Sequence, residues 1–384
     1  MEVYFDNSAT TKPLKEVRDE VYYAMDEFWG NPSSLHKLGV KMQRKIEELQ
    51  ERIAKKINAS KEEIIFTSGG SESNNMIIKG VVGENNHIIT TAFEHSSVLN
   101  TYRELEKQGV SVTYLKVNNK GFIDLKELEE AINKNTVLVS IMQINNEVGS
   151  VQKIKEIGRL IKEKSKRAKF HVDGVQGFGK FEIDVKACNI DFYSVSAHKF
   201  HGPKGVGFMY MRKGLNLKSL ITGGEQQRGL RAGTENTPSY MGMVKAMDIA
   251  YDALEDSYNH VKNIKEYFIE RLSKIENVVI NSPSSEEYSP YILNVSFLGT
   301  RSEVLLHMLE EDNIFVSTGS ACSSKTAVAK GSYVLNAMGL EQKCIQGAIR
   351  FSFSRYNTLE EVDYTIASLE KALKFLRRIK IWII

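Results

Sequence analysis

Ser196-Ala197-His198-Lys199 closes an apolar, strand-like run that contains Phe192 and Val195, and His171-Val172-Asp173-Gly174-Val175-Gln176 closes another a little upstream. A lysine just past one such run and an aspartate at the end of an earlier one suit loops at the carboxyl ends of parallel strands, where α/β sheets carry their sites. Outward from this pair, strand-like runs at 64–67, 87–90, 112–117, 136–141, 170–172, 191–195 and 207–211 alternate with helical patterns at 71–81, 97–108, 125–133 and 154–164. An amphipathic stretch at 37–57 precedes them. The alternation predicts an α/β fold with a mostly parallel, seven-stranded sheet and crossover helices.

From about residue 240 the texture changes. One long helical pattern runs to about 275, then come shorter segments at 291–297, 302–310, 314–317 and 348–353 and a closing helix at 358–379. This suits a smaller α+β domain, with the boundary inside the long helix. Residues 15–255 are expected to form the large domain, and 1–14 with 256–384 the small one. Pro283 and Pro290, flanking Ser284-Ser285-Glu286-Glu287, mark an exposed loop within it.

At 384 residues with 42% hydrophobic content, the chain exceeds one typical domain and can bury a sizeable core. Lysine plus arginine number 51 against 48 acidic residues, which leaves no nucleic-acid or membrane footprint. Met1-Glu2-Val3-Tyr4-Phe5-Asp6 has no secretory pattern, and Ile381-Trp382-Ile383-Ile384 is far short of the roughly 20 apolar residues of a membrane span. A cytoplasmic location is expected. Cys188, Cys322 and Cys344 are too few and too scattered for a disulfide framework or a zinc knuckle. Arg377, Arg378 and Lys380 read as a solvated helix face, with a partner-docking tail as the alternative.

Lys199 and Asp173 together meet the needs of a pyridoxal phosphate site: the lysine holds the cofactor as a Schiff base and the aspartate keeps the pyridine nitrogen protonated. Alone, Asp173 reads as an ordinary strand-end aspartate capping a turn; opposite the ring, it makes a better electron sink, with Gln176 near the ring's 3-oxygen. Thr67-Ser68-Gly69-Gly70-Ser71-Glu72 lies between a strand and a helix, where amides and the Ser71 hydroxyl can face an anion. By itself it is also an ordinary connection. His95 is either a plain loop histidine or a ring stacked on the cofactor and a proton carrier.

His198 and His201 resemble a metal pair, but no third ligand stands at suitable spacing, so no metal site is expected. Cys322, within Val316-Ser317-Thr318-Gly319-Ser320-Ala321-Cys322-Ser323-Ser324-Lys325, has small polar neighbours that suit a mobile nucleophile. Cys188 and Cys344 look incidental. Arg350 interrupts the apolar run 348–353 and is either one half of a structural salt bridge or a fork for a substrate α-carboxylate.

Taken in order along nearly the whole chain, these segments resemble the cysteine desulfurases of the class-V aminotransferase group. The matching stretches are 4–11, Gly30-Asn31-Pro32-Ser33-Ser34, 67–75, Glu94-His95, Asn145-Asn146-Glu147-Val148-Gly149, the aspartate and lysine segments, 228–234 and Ser320-Ala321-Cys322. The resemblance implies a fold type I transferase dependent on pyridoxal 5'-phosphate that supplies sulfur for iron-sulfur cluster assembly or tRNA thiolation. In it Lys199 binds the cofactor, Asp173 pairs with its ring nitrogen, Gln176 contacts the 3-oxygen and His95 stacks on the ring. Gly70, Ser71, Ser196 and His198 hold the phosphate. Thr234 matches a threonine lent to the neighbouring subunit's phosphate, which implies a homodimer. Asn146 and Arg350 orient the substrate carboxylate, and Cys322 takes the sulfur from L-cysteine and hands it to an acceptor protein.

The chain departs from the family's commonest pattern in three places. Gly70-Ser71 stands where Ala-Thr is frequent, Ala197 where glycine is frequent, and Lys330-Gly331-Ser332-Tyr333 replaces a Glu-Pro-Ser-Tyr ending. Two other readings compete: another enzyme of the same fold, an aminotransferase or a selenocysteine lyase, and a non-catalytic scaffold for sulfur transfer. Only desulfuration demands Cys322, and the scaffold is opposed by the competent residue at every matched position.

Overall fold

The computed structural model describes residues 1–83, 85–319 and 331–379. Its elements run β1 (Val3–Tyr4), α1 (Lys15–Glu27), α2 (Lys37–Lys56), β2 (Ile64–Thr67), α3 (Gly70–Val81), β3 (His87–Thr91), α4 (Ser96–Lys107), β4 (Ser111–Leu115), α5 (Leu125–Ala131), β5 (Thr136–Met142), α6 (Ile154–Lys164), β6 (Lys169–Asp173), β7 (Phe192–Ser196) and β8 (Gly207–Met211). They continue with α7 (Thr237–Asp252), α8 (Leu254–Leu272), β9 (Val278–Ile280), β10 (Ile292–Phe297), α9 (Ser302–Glu311), β11 (Ile314–Phe315), α10 (Tyr333–Ala337), α11 (Gln342–Gln346), β12 (Ala348–Ser352) and α12 (Leu359–Ile379).

The large sheet has seven strands in the order β2-β8-β7-β6-β5-β3-β4. Successive side chains of a strand point to opposite faces, and here both faces are covered. Ile64, Phe66, Ile89, Tyr193, Val195, Phe208 and Tyr210 pack into one cluster; Ile65, Ile88, Phe192 and Met209 enter another. Burial on both sides is why these strands read as continuous apolar runs. All neighbours run parallel except around β8, which is antiparallel to both β2 and β7. The βαβ reading therefore stops at β7: β8 returns beside it without a crossover helix.

A three-stranded antiparallel sheet, β12-β10-β9, and the parallel pair β1-β11 lie outside the large sheet. Phe5, Phe268, Phe297, Phe351 and Phe353 fill their shared core. The single long helix expected from about 240 is instead two, α7 and α8, separated at Ala253, whose φ of −121° and ψ of 26° leave helical space. The boundary expected after residue 255 falls in the first turn of α8. No helix among the described residues is long and apolar enough to cross a membrane.

Candidate functional site

Each segment bearing most of the candidate residues leaves the carboxyl end of a strand of the large sheet. Thr67 ends β2, Asp173 ends β6 and Ser196 ends β7, while His95 follows β3 and Asn146 follows β5. Parallel strands deliver these ends to one edge, where open α/β sheets gather ligands. Gln176, His198 and Lys199 lie just beyond β6 and β7.

Asp173 is 5% exposed and doubly held: Asn74 Nδ2 donates to Oδ2 at 2.8 Å and the Val175 amide to Oδ1 at 3.0 Å. His95 caps α4, its Nδ1 accepting from the Ser97 amide at 3.2 Å and lying 2.8 Å from Ser97 Oγ. Burial pushes the imidazole pKa down; the charge of Asp173 opposes this and that of Lys199 adds to it. The three side chains thus share one electrostatic environment. Lys199, in a short 3-10 turn after β7, donates from Nζ to the carbonyls of Ser8 at 2.6 Å and Ala9 at 2.8 Å.

The first turn of α3 is pressed against the ends of β6 and β7. Gly69 has φ of +145°, open to glycine, and a Cβ there would stand 3.2 Å from Ser196 Oγ. A Cβ on Gly70 would stand 2.5 Å from Val175 Cγ2. Among the described residues no side chain caps α3, so its leading amides face out with the positive end of the helix dipole. Glu72, the acid in that turn, is tied to Arg231 at 2.9 Å, which offsets its charge. Ser71 is exposed beside this cradle.

Gln176 is engaged at both ends, its Nε2 donating to the Ser8 carbonyl at 3.0 Å and its Oε1 accepting from Lys180 Nζ at 3.1 Å. His198 pairs with the Thr10 hydroxyl at 3.1 Å, and burial lowers its pKa to about 4. His201 turns to the Lys12 carbonyl instead, so the two rings have separate partners. Among the described residues, no group of three or more His, Cys, Asp or Glu side chains could hold a metal ion.

Arg350, on β12, donates to Asp6 Oδ1 at 2.7 Å and to the Asn146 carbonyl at 2.9 Å. The structural ion pair left open by the sequence is therefore present. Among the described residues its Nε and the Asn146 Oδ1 are buried without partners, one unmet donor and one unmet acceptor close to the same junction. Thr234 is exposed in the segment between β8 and α7. Cys322 lies outside the described residues. Cys188 and Cys344 are partly buried, and burial raises both thiol pKa values, which disfavours the reactive thiolate.

Several residues of the site escaped the sequence reading: Asp6, Asn74, Ser97, Glu147 and Lys180. Glu147 is wholly buried, with burial raising its pKa to about 7, and its Oε1 would lie 2.0 Å from a Cβ on Gly319. Asp6, Asn74 and Glu147 fall inside the quoted motifs, and Lys180 follows Gln176 by four positions. Those placements are the only sequence signals for them.

An uncapped amide cradle for a phosphate, a buried carboxylate for a cationic ring nitrogen and a lysine whose charge reaches the same imidazole as that carboxylate fit a phosphorylated pyridine cofactor. The chain matches the family Aminotransferase class-V over residues 3–365. It is 43% identical over 379 residues to a cysteine desulfurase IscS of Clostridium botulinum, covering 97% of this chain and 94% of that protein. A solved structure of a NifS-like protein superposes with a TM-score of 0.92 at 40% identity, covering 98% of this chain and all of the other. That of SspA in complex with cysteine superposes at 0.79 with 34% identity, covering 93% and 100%. The chain belongs to the class-V aminotransferase family and, within it, to the cysteine desulfurases.

Proposed function

We propose that this chain uses pyridoxal 5'-phosphate to remove sulfur from L-cysteine, leaving L-alanine and a persulfide on Cys322. The observation that carries the reading is the grouping of Asp173, His95 and Lys199 beside the α3 cradle, supported by relatives named cysteine desulfurase and by a similar protein solved with cysteine. When bound, the cofactor stores the electron pair released as bonds at the substrate's Cα and Cβ are broken. The cradle of Gly70, Ser71, Ser196 and His198 would take the phosphate, Asp173 the ring nitrogen and Gln176 the 3-oxygen.

The chain's own groups then divide the work. Lys199 anchors the cofactor and, once displaced by substrate, takes the Cα proton at Nζ. His95 covers the ring. Arg350 and Asn146 hold the substrate carboxylate. Cys322 Sγ, as thiolate, forms an S–S bond with the substrate sulfur while the Cβ–S bond breaks; the electron pair stays on Cβ, and a proton completes the methyl group of alanine. No external oxidant or reductant is consumed.

The reading extends to a cytoplasmic homodimer in which exposed Thr234 serves the phosphate of a second copy. It includes a small domain, 1–14 and 256–384, that carries Cys322 toward an acceptor protein for iron-sulfur assembly or tRNA thiolation. The test is turnover of L-cysteine by purified protein with added cofactor. Cys322→Ser is expected to keep the cofactor's absorbance and lose alanine production; retained turnover would remove the persulfide step. Lys199→Ala is expected to lose the absorbance itself.

A further inference from the structure

We infer that Ser97, oriented by Asn74, is a positioning residue that fixes the tautomer of His95, holding Nδ1 as an acceptor and leaving the proton on Nε2. Asp173 sets the first bond of the series. A carboxylate only accepts, so the Asn74 atom 2.8 Å from Oδ2 must be the amide nitrogen. The Asn74 oxygen, buried and without a partner among the described residues, agrees: the nitrogen decides how this amide is turned.

The same nitrogen lies 2.9 Å from Ser97 Oγ and gives it the second amide hydrogen. Ser97 Oγ is thereby an acceptor toward Asn74, which frees its own hydrogen for His95 Nδ1 at 2.8 Å. The Ser97 backbone N–H, which can only donate, reaches that Nδ1 at 3.2 Å. Two donors from one residue thus converge on one ring nitrogen, so Nδ1 carries the lone pair. Nε2, with no described partner, carries the proton.

The direction of every bond in the series Asp173–Asn74–Ser97–His95 follows from the carboxylate at one end and the backbone amide at the other. His95 accordingly enters the chemistry as an N–H donor. It takes up a proton only when the bonds at Nδ1 are given up. The titratable groups around it are Asp173, Lys199 and the neighbouring Glu94, and burial already favours its neutral form.

The catalytic consequence rests on the proposed role of His95 in the cofactor pocket, but the tautomer is read without turnover. The experiment is NMR of the holoenzyme labelled with 15N and 13C in histidine, with His95→Gln supplying the assignment. Wild type is expected to show one neutral His95 tautomer, protonated at Nε2, at neutral pH. Ser97→Ala removes the hydroxyl donor and keeps the backbone one, and is expected to raise the titration midpoint of His95 by roughly half to one pH unit, the worth of one neutral hydrogen bond, and to weaken the preference for the Nε2 tautomer. Ser97→Thr should restore both signatures.

Asn74→Asp replaces the donor with an acceptor that claims the Ser97 hydrogen, and should raise the midpoint further than Ser97→Ala. A wild-type ring protonated at Nδ1, or a Ser97→Ala protein with the tautomer and midpoint unchanged, overturns the inference. The wild-type spectrum decides the matter even where a variant does not fold. Absence of alanine production with the Nε2 tautomer intact would instead count against the proposed function alone.

Discussion

Lys180 and Gln176 form a buried pair four positions apart, with Lys180 Nζ donating to Gln176 Oε1 at 3.1 Å. The lysine is 7% exposed, and burial, aided by the charges of Lys199 and Arg350, brings its pKa down to about 7. Because the amide's other end is fixed on Ser8, the lysine determines which way Gln176 faces.

Lys180→Met should therefore act on both stability and the site. A lysine whose folded pKa is depressed favours folding most above its ordinary value of 10.5 and loses that contribution as pH falls toward about 7. Urea unfolding across this window should show wild-type stability rising with pH and a flatter profile in Lys180→Met. The freed Gln176 amide should lower kcat by up to about tenfold, the worth of one hydrogen bond. Lys265→Met, at a second buried lysine whose pKa is about 7, should flatten stability without touching kcat.

Glu94 and Glu147 titrate in the opposite sense. Burial raises their pKa values to about 8 and about 7, so each favours folding fully below the ordinary value of 4.5 and loses that contribution as pH rises through the folded value. Glu94→Gln and Glu147→Gln should each reduce the fall in stability between mildly acidic and mildly alkaline pH. Identical slopes in variant and wild type would show that these carboxyls are solvated in the native state.

Arg350 has two partners with different tasks, and its variants should separate them. Arg350→Ala strands Asp6 in a largely buried setting and should cost about 3 kcal/mol in thermal or chemical unfolding. Asp6→Asn leaves the guanidinium in place and should cost less. Arg350→Lys keeps the charge but not the fork; it should raise KM for cysteine about tenfold or more, the scale of one lost charge-assisted bond, with smaller effects on folding.

Gly70 is hemmed in by Val175, a branched side chain with little rotameric freedom. Gly70→Ala should cost about 1–3 kcal/mol through overpacking. Adding Val175→Ala should recover about 1 kcal/mol or more relative to the sum of the single changes. A strictly additive double-mutant cycle would show that the cradle moves to make room.

The large sheet was legible in the sequence because strands buried on both faces leave unbroken apolar runs, and the motifs at their carboxyl ends marked one edge. Elements settled by distant partners were not. β1 and β11 are two-residue strands that exist only through each other, and α1 shows weak patterning because Tyr22, Tyr23 and Met25 remain exposed while only Val17 and Ala24 are buried. The turn at Ala253 carries no proline or glycine to announce it. In the site, the residues with expected chemical roles stood out by type and motif. Asn74, Ser97 and Lys180 did not, since an amide, a hydroxyl and a lysine gain meaning only from the atoms they meet.

The segment 8–11 has a further consequence for how the protein is made. Ser8 and Ala9 supply the carbonyls that receive Lys199, while the Ser8 amide bonds Ser352 Oγ, 344 positions away. During synthesis the lysine strand can join its sheet long before residue 352 leaves the ribosome. The lysine's full setting therefore matures only after residue 352 has emerged, and a nascent chain carries a folded scaffold before it carries a finished site.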